Sequence, residues 1–263
     1  MKVEEMQKIS SYFGETKIVA KQDLVNYILE NFPNRKKEYM NYYIYDLKKA
    51  EYAYNIDKER IVISKRKQFK INIADCLVDL NKSIYTLLVD FNYCIWRKSD
   101  LQILMRHQFF KDATFICVEK EFIDSLKLFI ILNNKNLNVY DYKEIERAQL
   151  DDNPIIIDHL LKKAPINKKK RTNKLGSNIH YNKDIDLPTP KLEKILVDLF
   201  VDKKGMYGVD SGELKEIFTN SLNYYQINFT TLLQYAKIRN MRTELINYIT
   251  NTIKFDIERA KLK

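Results

Sequence analysis

At 263 residues and 45% apolar content, the chain is long enough for two domains with separate cores and too hydrophobic to be disordered. Its net charge of +10 favours a polyanionic partner such as nucleic acid. The longest wholly apolar runs, such as Leu128 to Leu132, fall far short of a membrane span, and Met1 to Glu5 form no signal-peptide core, so a cytoplasmic protein with no membrane partner is expected.

In chain order, Met6, Ile9 and Phe13 predict a short helix ended by Gly14, and Lys17 to Ala20 a small strand. Leu24, Val25, Ile28, Leu29 and Phe32 return to one face of a 3.6-residue turn, which predicts a second helix that Pro33 ends. Asn34 is a suitable N-cap for a third helix from Arg35 to about Ala50, roughly 24 Å long at 1.5 Å per residue and so able to lie in a major groove. Its core stripe is Met40, Tyr43, Ile44 and Leu47. Arg35, Lys36, Lys37, Asn41, Tyr42, Tyr45, Lys48 and Lys49 then lie on or near the outward side. Those residue types suit a DNA duplex: Lys and Arg neutralise phosphates, Tyr hydroxyls bond to them, and Asn pairs bidentately with an adenine edge. Tyr52 to Ile56 and Arg60 to Ser64 flank the turn Asp57-Lys58-Glu59 and predict a hairpin with Lys58 and Arg60 near its tip. Two helices followed by a basic ribbon read as a winged helix-turn-helix over residues 1–68.

From about 69 to 161 short buried strands alternate with helices, the pattern of a mixed α/β (α+β) domain in which a small sheet is covered by helices. Strands are predicted at Tyr93 to Trp96, Ala113 to Val118, Leu137 to Tyr140 and Pro154 to Asp158. Helices are predicted through Ile84 to Phe91, from a Ser99-x-x-Gln102 capping box, and through Phe122 to Ile130 as far as Asn133-Asn134. Residues 162–188 read as an exposed basic loop that begins with Lys162 and Lys163. A helical region over 189–263 follows. Thr189-Pro190 supplies a cap and first-turn proline for Leu192, Ile195, Leu196 and Leu199, and Asp210-x-x-Glu213 opens the next helix. Helices through Phe229 to Ala236 and Leu245 to Ile253 complete it.

Cys76, Cys94 and Cys117 lie in apolar sequence and are expected as reduced, packed thiols. With three His, no C-x-x-C and few glycines, neither a zinc site nor a phosphate-cradling loop has a candidate, so no metal and no cofactor are expected. Asp141-x-Lys143 after one strand and Glu119 after another loosely match the carboxylates and lysine of a metal-dependent DNA nuclease, which stands as the alternative to a non-enzymatic DNA-binding protein.

Several segments, in order, carry a family resemblance: Cys94-Ile95-Trp96, His107-Gln108, Phe115 to Lys120, Ala164-Pro165, Leu192 to Asp198, and Tyr235-Ala236 followed by Arg239. Across most of its length the chain resembles the AbiEi-type antitoxins of bacterial abortive-infection (type IV toxin-antitoxin) systems. The resemblance implies a winged helix-turn-helix that represses its own operon. It also implies an antitoxin domain, residues 69–263, that counteracts a nucleotidyltransferase-like toxin, with Trp96, His107, Gln108, Glu193, Lys194, Asp198 and Arg239 as candidate residues. Read from the residues alone, Glu193, Lys194 and Asp198 are local ion pairs or caps, and Trp96 and His107 are core residues. The sequence departs from the family at the wing, where Asp57-Lys58-Glu59 replaces a glycine-rich basic turn. One such module per chain predicts binding to duplex DNA of its own promoter as two copies on paired half-sites.

Overall fold

The structure is a computed structural model that describes residues 1, 3–14, 17–50, 52–63, 66–88, 91–107, 111–149, 151–167, 187–202 and 205–256. Helices and small sheets alternate in a mixed α+β architecture made of two compact units: Met1–Phe69 with Phe218–Lys263, and Lys70–Ile217. Among the described residues no helix is long and apolar enough to cross a membrane.

The first unit opens with α1 (Val3–Phe13), β1 (Lys17–Ala20), α2 (Lys21–Asn31), a 3₁₀ turn (Lys37–Tyr39), α3 (Met40–Lys49), β2 (Ala53–Asn55) and β3 (Arg60–Ile63). The strands form an antiparallel sheet in the order β1-β3-β2, with Ile18 opposite Val62 and Tyr54 opposite the same residue from the other side. Helices α1, α2 and α3 bury Ile9, Leu24, Ile28 and Leu47 completely, together with Ile61 and Ile63 of the sheet. This order and topology are those of a winged helix-turn-helix. The predicted stripe of α3, Met40, Tyr43, Ile44 and Leu47, is the buried face. The helix itself is shorter than expected. Its ten residues span about 15 Å, because Lys36 is extended (φ −108°, ψ 143°) and regular turns begin only after the 3₁₀ segment. Asn34 therefore does not cap it.

The domain division expected from sequence is corrected at the C-terminus, since residues 218–263 cluster with the winged module and not with residues 70–217. Lys67 pairs with Tyr225 as an isolated bridge, in which the Lys67 amide donates to the Tyr224 carbonyl (3.0 Å) and the Gln226 amide to the Lys67 carbonyl (2.9 Å). Thr230 Oγ1 donates to the Ile56 carbonyl (3.0 Å). The apolar faces of α9 (Phe229–Ile238) and α10 (Arg242–Asn247) bury Leu232, Ala236 and Leu245 completely. A π-turn (Tyr248–Thr252) continues α10.

The second unit holds a four-stranded sheet. Its elements are α4 (Asp75–Leu88), β4 (Tyr93–Arg97), β5 (Thr114–Val118), α5 (Ile123–Asn133), β6 (Val139–Asp141), a short α6 (Ile145–Ala148) and β7 (Ile155–His159). Strand order is β4-β5-β7-β6, with β4 antiparallel to β5 and the other two pairings parallel. Side chains alternate across the sheet. Ile95, Ile116, Val118, Ile155 and Ile157 face one way and join Leu77, Ile84 and Leu126 of α4 and α5 in the main core. Cys94, Trp96, Phe115, Cys117 and Asp158 face the other way, where α7 (Leu192–Val201) packs.

Two predicted helix starts are corrected here. Thr189-Pro190 does not open a helix but forms β9 (Thr189–Pro190) against β8 (Ile166–Asn167), with Asn167 Nδ2 donating to Thr189 Oγ1 (3.0 Å); α7 begins after Lys191. The Ser99 capping box does not form either. The Ser99 amide donates to Asp112 Oδ1 (2.8 Å), the Arg97 amide to Asp100 Oδ2 (2.9 Å), and the segment Lys98–Leu104 is a 3₁₀ helix. Asp210 does cap α8 (Ser211–Tyr224), accepting from the Glu213 amide at 2.8 Å. The basic loop predicted over 162–188 is interrupted by β8, and its residues 168–186 lie outside the described residues.

Candidate nucleic-acid interface

The outward surface of α3 consists of Asn41, Tyr42, Tyr45 and Lys49, all exposed, with Lys48 half-buried beside them. Their spacing returns to one side of the helix, opposite the buried stripe. Tyr42 is 68% exposed and Tyr45 56%, far more than aromatic rings left over at a surface need be, and Tyr39 on the preceding turn extends the row. Lys36 and Lys37 are exposed at the N-terminal approach to the helix.

The wing lies next to this surface. Lys58 is exposed at its tip. Lys21, the first residue of α2, holds the turn by donating through Nζ to the Lys58 carbonyl (2.5 Å), while the Lys21 amide donates to the Glu59 carbonyl (2.8 Å). Burial, and then the charge of the neighbouring Lys48, pull the Lys21 ammonium below the usual lysine range. The Lys21 ammonium of α2 thus lies near Lys48 of α3 and against the backbone of the wing turn.

Two residues expected at the interface have other partners. Arg35 donates through Nη2 to Glu5 Oε2 (2.5 Å) and lies 4.9 Å from the Tyr43 ring centroid, so its guanidinium ties α1 to α3. Arg60 donates through Nε to Asp57 Oδ2 (2.6 Å), and Asp57 Oδ1 also accepts the backbone amides of Glu59 (2.9 Å) and Arg60 (2.8 Å). Burial raises the Asp57 carboxyl, but the Arg60 side chain and these amides outweigh it, and the net effect holds the group below the usual carboxylate range. Asp57 thus gives the wing turn a built-in structure where a glycine-rich turn was absent.

The second unit does not bring its candidate residues into one surface. Trp96 is buried, stacked on Phe115 with ring centroids 4.9 Å apart and 5.7 Å from Tyr207. Glu193, Lys194 and Asp198 are buried residues of α7 itself. Lys194 Nζ donates to Asp198 Oδ2 (2.7 Å) and to Cys117 Sγ (3.4 Å). Cys94 sits directly across the strand pair from Cys117. Of the two expected core residues Trp96 is one, whereas His107 is largely exposed, its Nδ1 2.5 Å from Glu213 Oε1. Glu213 also accepts the amides of Arg106 (3.1 Å) and His107 (3.2 Å), a role no local pattern announced. Arg239 is half-buried in the first unit, and Gln108 lies outside the described residues. The three cysteines are free, and Cys76, expected to pack inside, is exposed.

Two residues of the nuclease alternative, Asp141 and Lys143, also turn to local partners. Asp141 Oδ1 accepts the Lys143 amide (2.7 Å), and its Oδ2 lies 3.8 Å from Lys127 Nζ, which in turn pairs with Glu144. The Lys143 ammonium sits 5.7 Å from the Tyr142 ring centroid. Among the described residues no three His, Cys, Asp or Glu side chains gather as metal ligands.

Residues 39–254 match a protein family described as a family of unknown function (DUF6577). No curated protein matches the chain.

Proposed function

The chain belongs to the DUF6577 family, a family of unknown function, and we propose that it is a DNA-binding autorepressor that lays α3 in the major groove of its own promoter. The observation that carries this reading is the exposed row of Asn41, Tyr42, Tyr45 and Lys49 on a helix whose opposite side is fully committed to the core. Capture begins with phosphate neutralisation by Lys36, Lys37, Lys48, Lys49 and Lys58. Asn41 then pairs with an adenine edge, and Tyr42 and Tyr45 contact thymine methyls or backbone oxygens. Two chains on paired half-sites cover the promoter and exclude polymerase from it.

The resemblance to AbiEi-type antitoxins supports the second half of the proposal, that the protein counteracts a nucleotidyltransferase-like toxin in the cytoplasm. The burial of Trp96, Glu193, Lys194 and Asp198 assigns those residues to the architecture of the second unit, so a direct contact with a toxin would use other side chains.

The test is a gel-shift and fluorescence-anisotropy titration with the chain's own promoter and a scrambled duplex. Specific, salt-dependent binding supports the repressor, and equal, weak binding to both duplexes removes it. Co-expression with a nucleotidyltransferase-like protein encoded beside it tests the antitoxin half. Rescue of growth is the expected result, and continued growth arrest excludes that role.

A further inference from the structure

The second unit contains a cavity of about 520 Å³ between α4, α5 and the strand ends at Arg97, Ala113 and Ile155. This is within the size range of small-molecule sites. Leu77, Leu80, Phe129, Ile130 and Leu137 give it apolar walls.

The charged groups at its edge are Asp79, Asp112 and Arg97, and they differ in how their polar atoms are met. Asp112 is served by the amides of Ser99 (2.8 Å) and Ala113 (2.9 Å), and Asp79 by Lys82 (3.1 Å). Asp100, next to Arg97 in space, has its two oxygens committed to the amides of Asn72 (3.0 Å) and Arg97 (2.9 Å). The Arg97 guanidinium is different. Its Nε is buried without a hydrogen-bond partner, although the side chain as a whole is half-buried and its charge is felt by Asp100. A buried donor left without an acceptor beside an apolar hollow is costly unless a ligand completes it.

We propose that this cavity binds a small organic anion with an apolar or aromatic body, the body resting against the Leu80 and Phe129 side and the anionic group meeting Arg97. The site lies wholly within the second unit and does not depend on the DNA-binding reading.

Cys76 lines the cavity and is the exposed one of the three cysteines, so it reports on occupancy without any engineered label. The probe is 8-anilinonaphthalene-1-sulfonate, an aromatic anion, added to the full chain, with its uncharged relative N-phenyl-1-naphthylamine as control. Saturable binding of one sulfonate probe per chain is expected, with slowed alkylation of Cys76 by iodoacetamide. Arg97→Met should weaken the sulfonate probe by about tenfold or more, the worth of a charge-assisted hydrogen bond, and leave the neutral probe nearly unchanged. Leu80→Trp, which fills the cavity, should abolish both. Unchanged sulfonate affinity in Arg97→Met, or alkylation of Cys76 indifferent to bound probe, overturns the proposal. If Arg97→Met loses the circular dichroism of the parent chain, Leu80→Trp decides: undiminished binding there overturns the site.

Discussion

Lys194 and Asp198 stand one helical turn apart on α7, joined by a 2.7 Å hydrogen bond, with their side chains 2% and 6% exposed. Such a pair contributes little when compared with apolar replacements, yet each member depends on the other once both are buried. Lys194→Met should therefore destabilise the second unit by about 3–5 kcal/mol. Adding Asp198→Leu should restore more than half of that loss. Urea unfolding followed by the emission of Trp96, the chain's single tryptophan, measures both, and strictly additive losses would contradict the coupling.

Arg35 and the exposed lysines should separate stability from binding. Arg35→Ala removes the Glu5 bond and the packing on Tyr43, and should lower the stability of the first unit by about 1 kcal/mol. Lys37→Ala and Lys49→Ala, both exposed, should leave the melting temperature unchanged and each reduce the salt slope of DNA binding by about 1. Melting curves and anisotropy at several salt concentrations distinguish the two classes. A slope unaffected by either lysine would mean that α3 is not the docking helix.

Asn41 is the residue assigned to base reading. Asn41→Ala should cost about 1–3 kcal/mol of specific affinity and relax the preference for adenine at one position in each half-site. Selection from a randomised duplex pool reads this directly. An unaltered consensus would place recognition on other side chains.

The Asp57 carboxyl titrates below its ordinary range, so its protonation opposes the folded wing. Its stabilising contribution is present above the unfolded value of about 3.8 and is lost as pH falls through the lower, folded value. Amide resonances of Glu59 and Arg60 should shift together in that acid range, below where unstructured aspartates titrate. At neutral pH, Asp57→Asn should release Arg60 toward the phosphates and steepen the salt dependence of DNA binding. An Asp57→Asn protein with unchanged salt slope would show that Arg60 stays out of reach.

Much of the winged module was legible because its signals are local and periodic. The stripe Met40, Tyr43, Ile44 and Leu47 repeats at helical spacing, and the hairpin flanks a polar turn, so burial followed from pattern alone. Thr189-Pro190 misled for the opposite reason. Its cap chemistry is local, but the partner that draws it into a strand, Ile166–Asn167, lies more than twenty residues away. At Ser99 a nearby signal lost to Asp112 and Asp100, whose carboxylates take the backbone amides first. Arg35 and Arg60 read as free cations because no spacing rule announces Glu5 thirty positions earlier, or that Asp57 turns inward to its neighbour. Lys194 and Asp198 read as local ion pairs or caps and do pair, but only the sheet beneath them shows that the pair is kept inside.

The joining of residues 218–263 to Met1–Phe69 orders events during synthesis. The ribosome makes the winged segment first, then the whole of 70–217, and only afterwards the helices that bury Leu232, Ala236 and Leu245. A nascent chain stalled before Phe218 carries α3 on an unfinished scaffold, so the unit that holds α3 is completed only after all of 70–217 has been made.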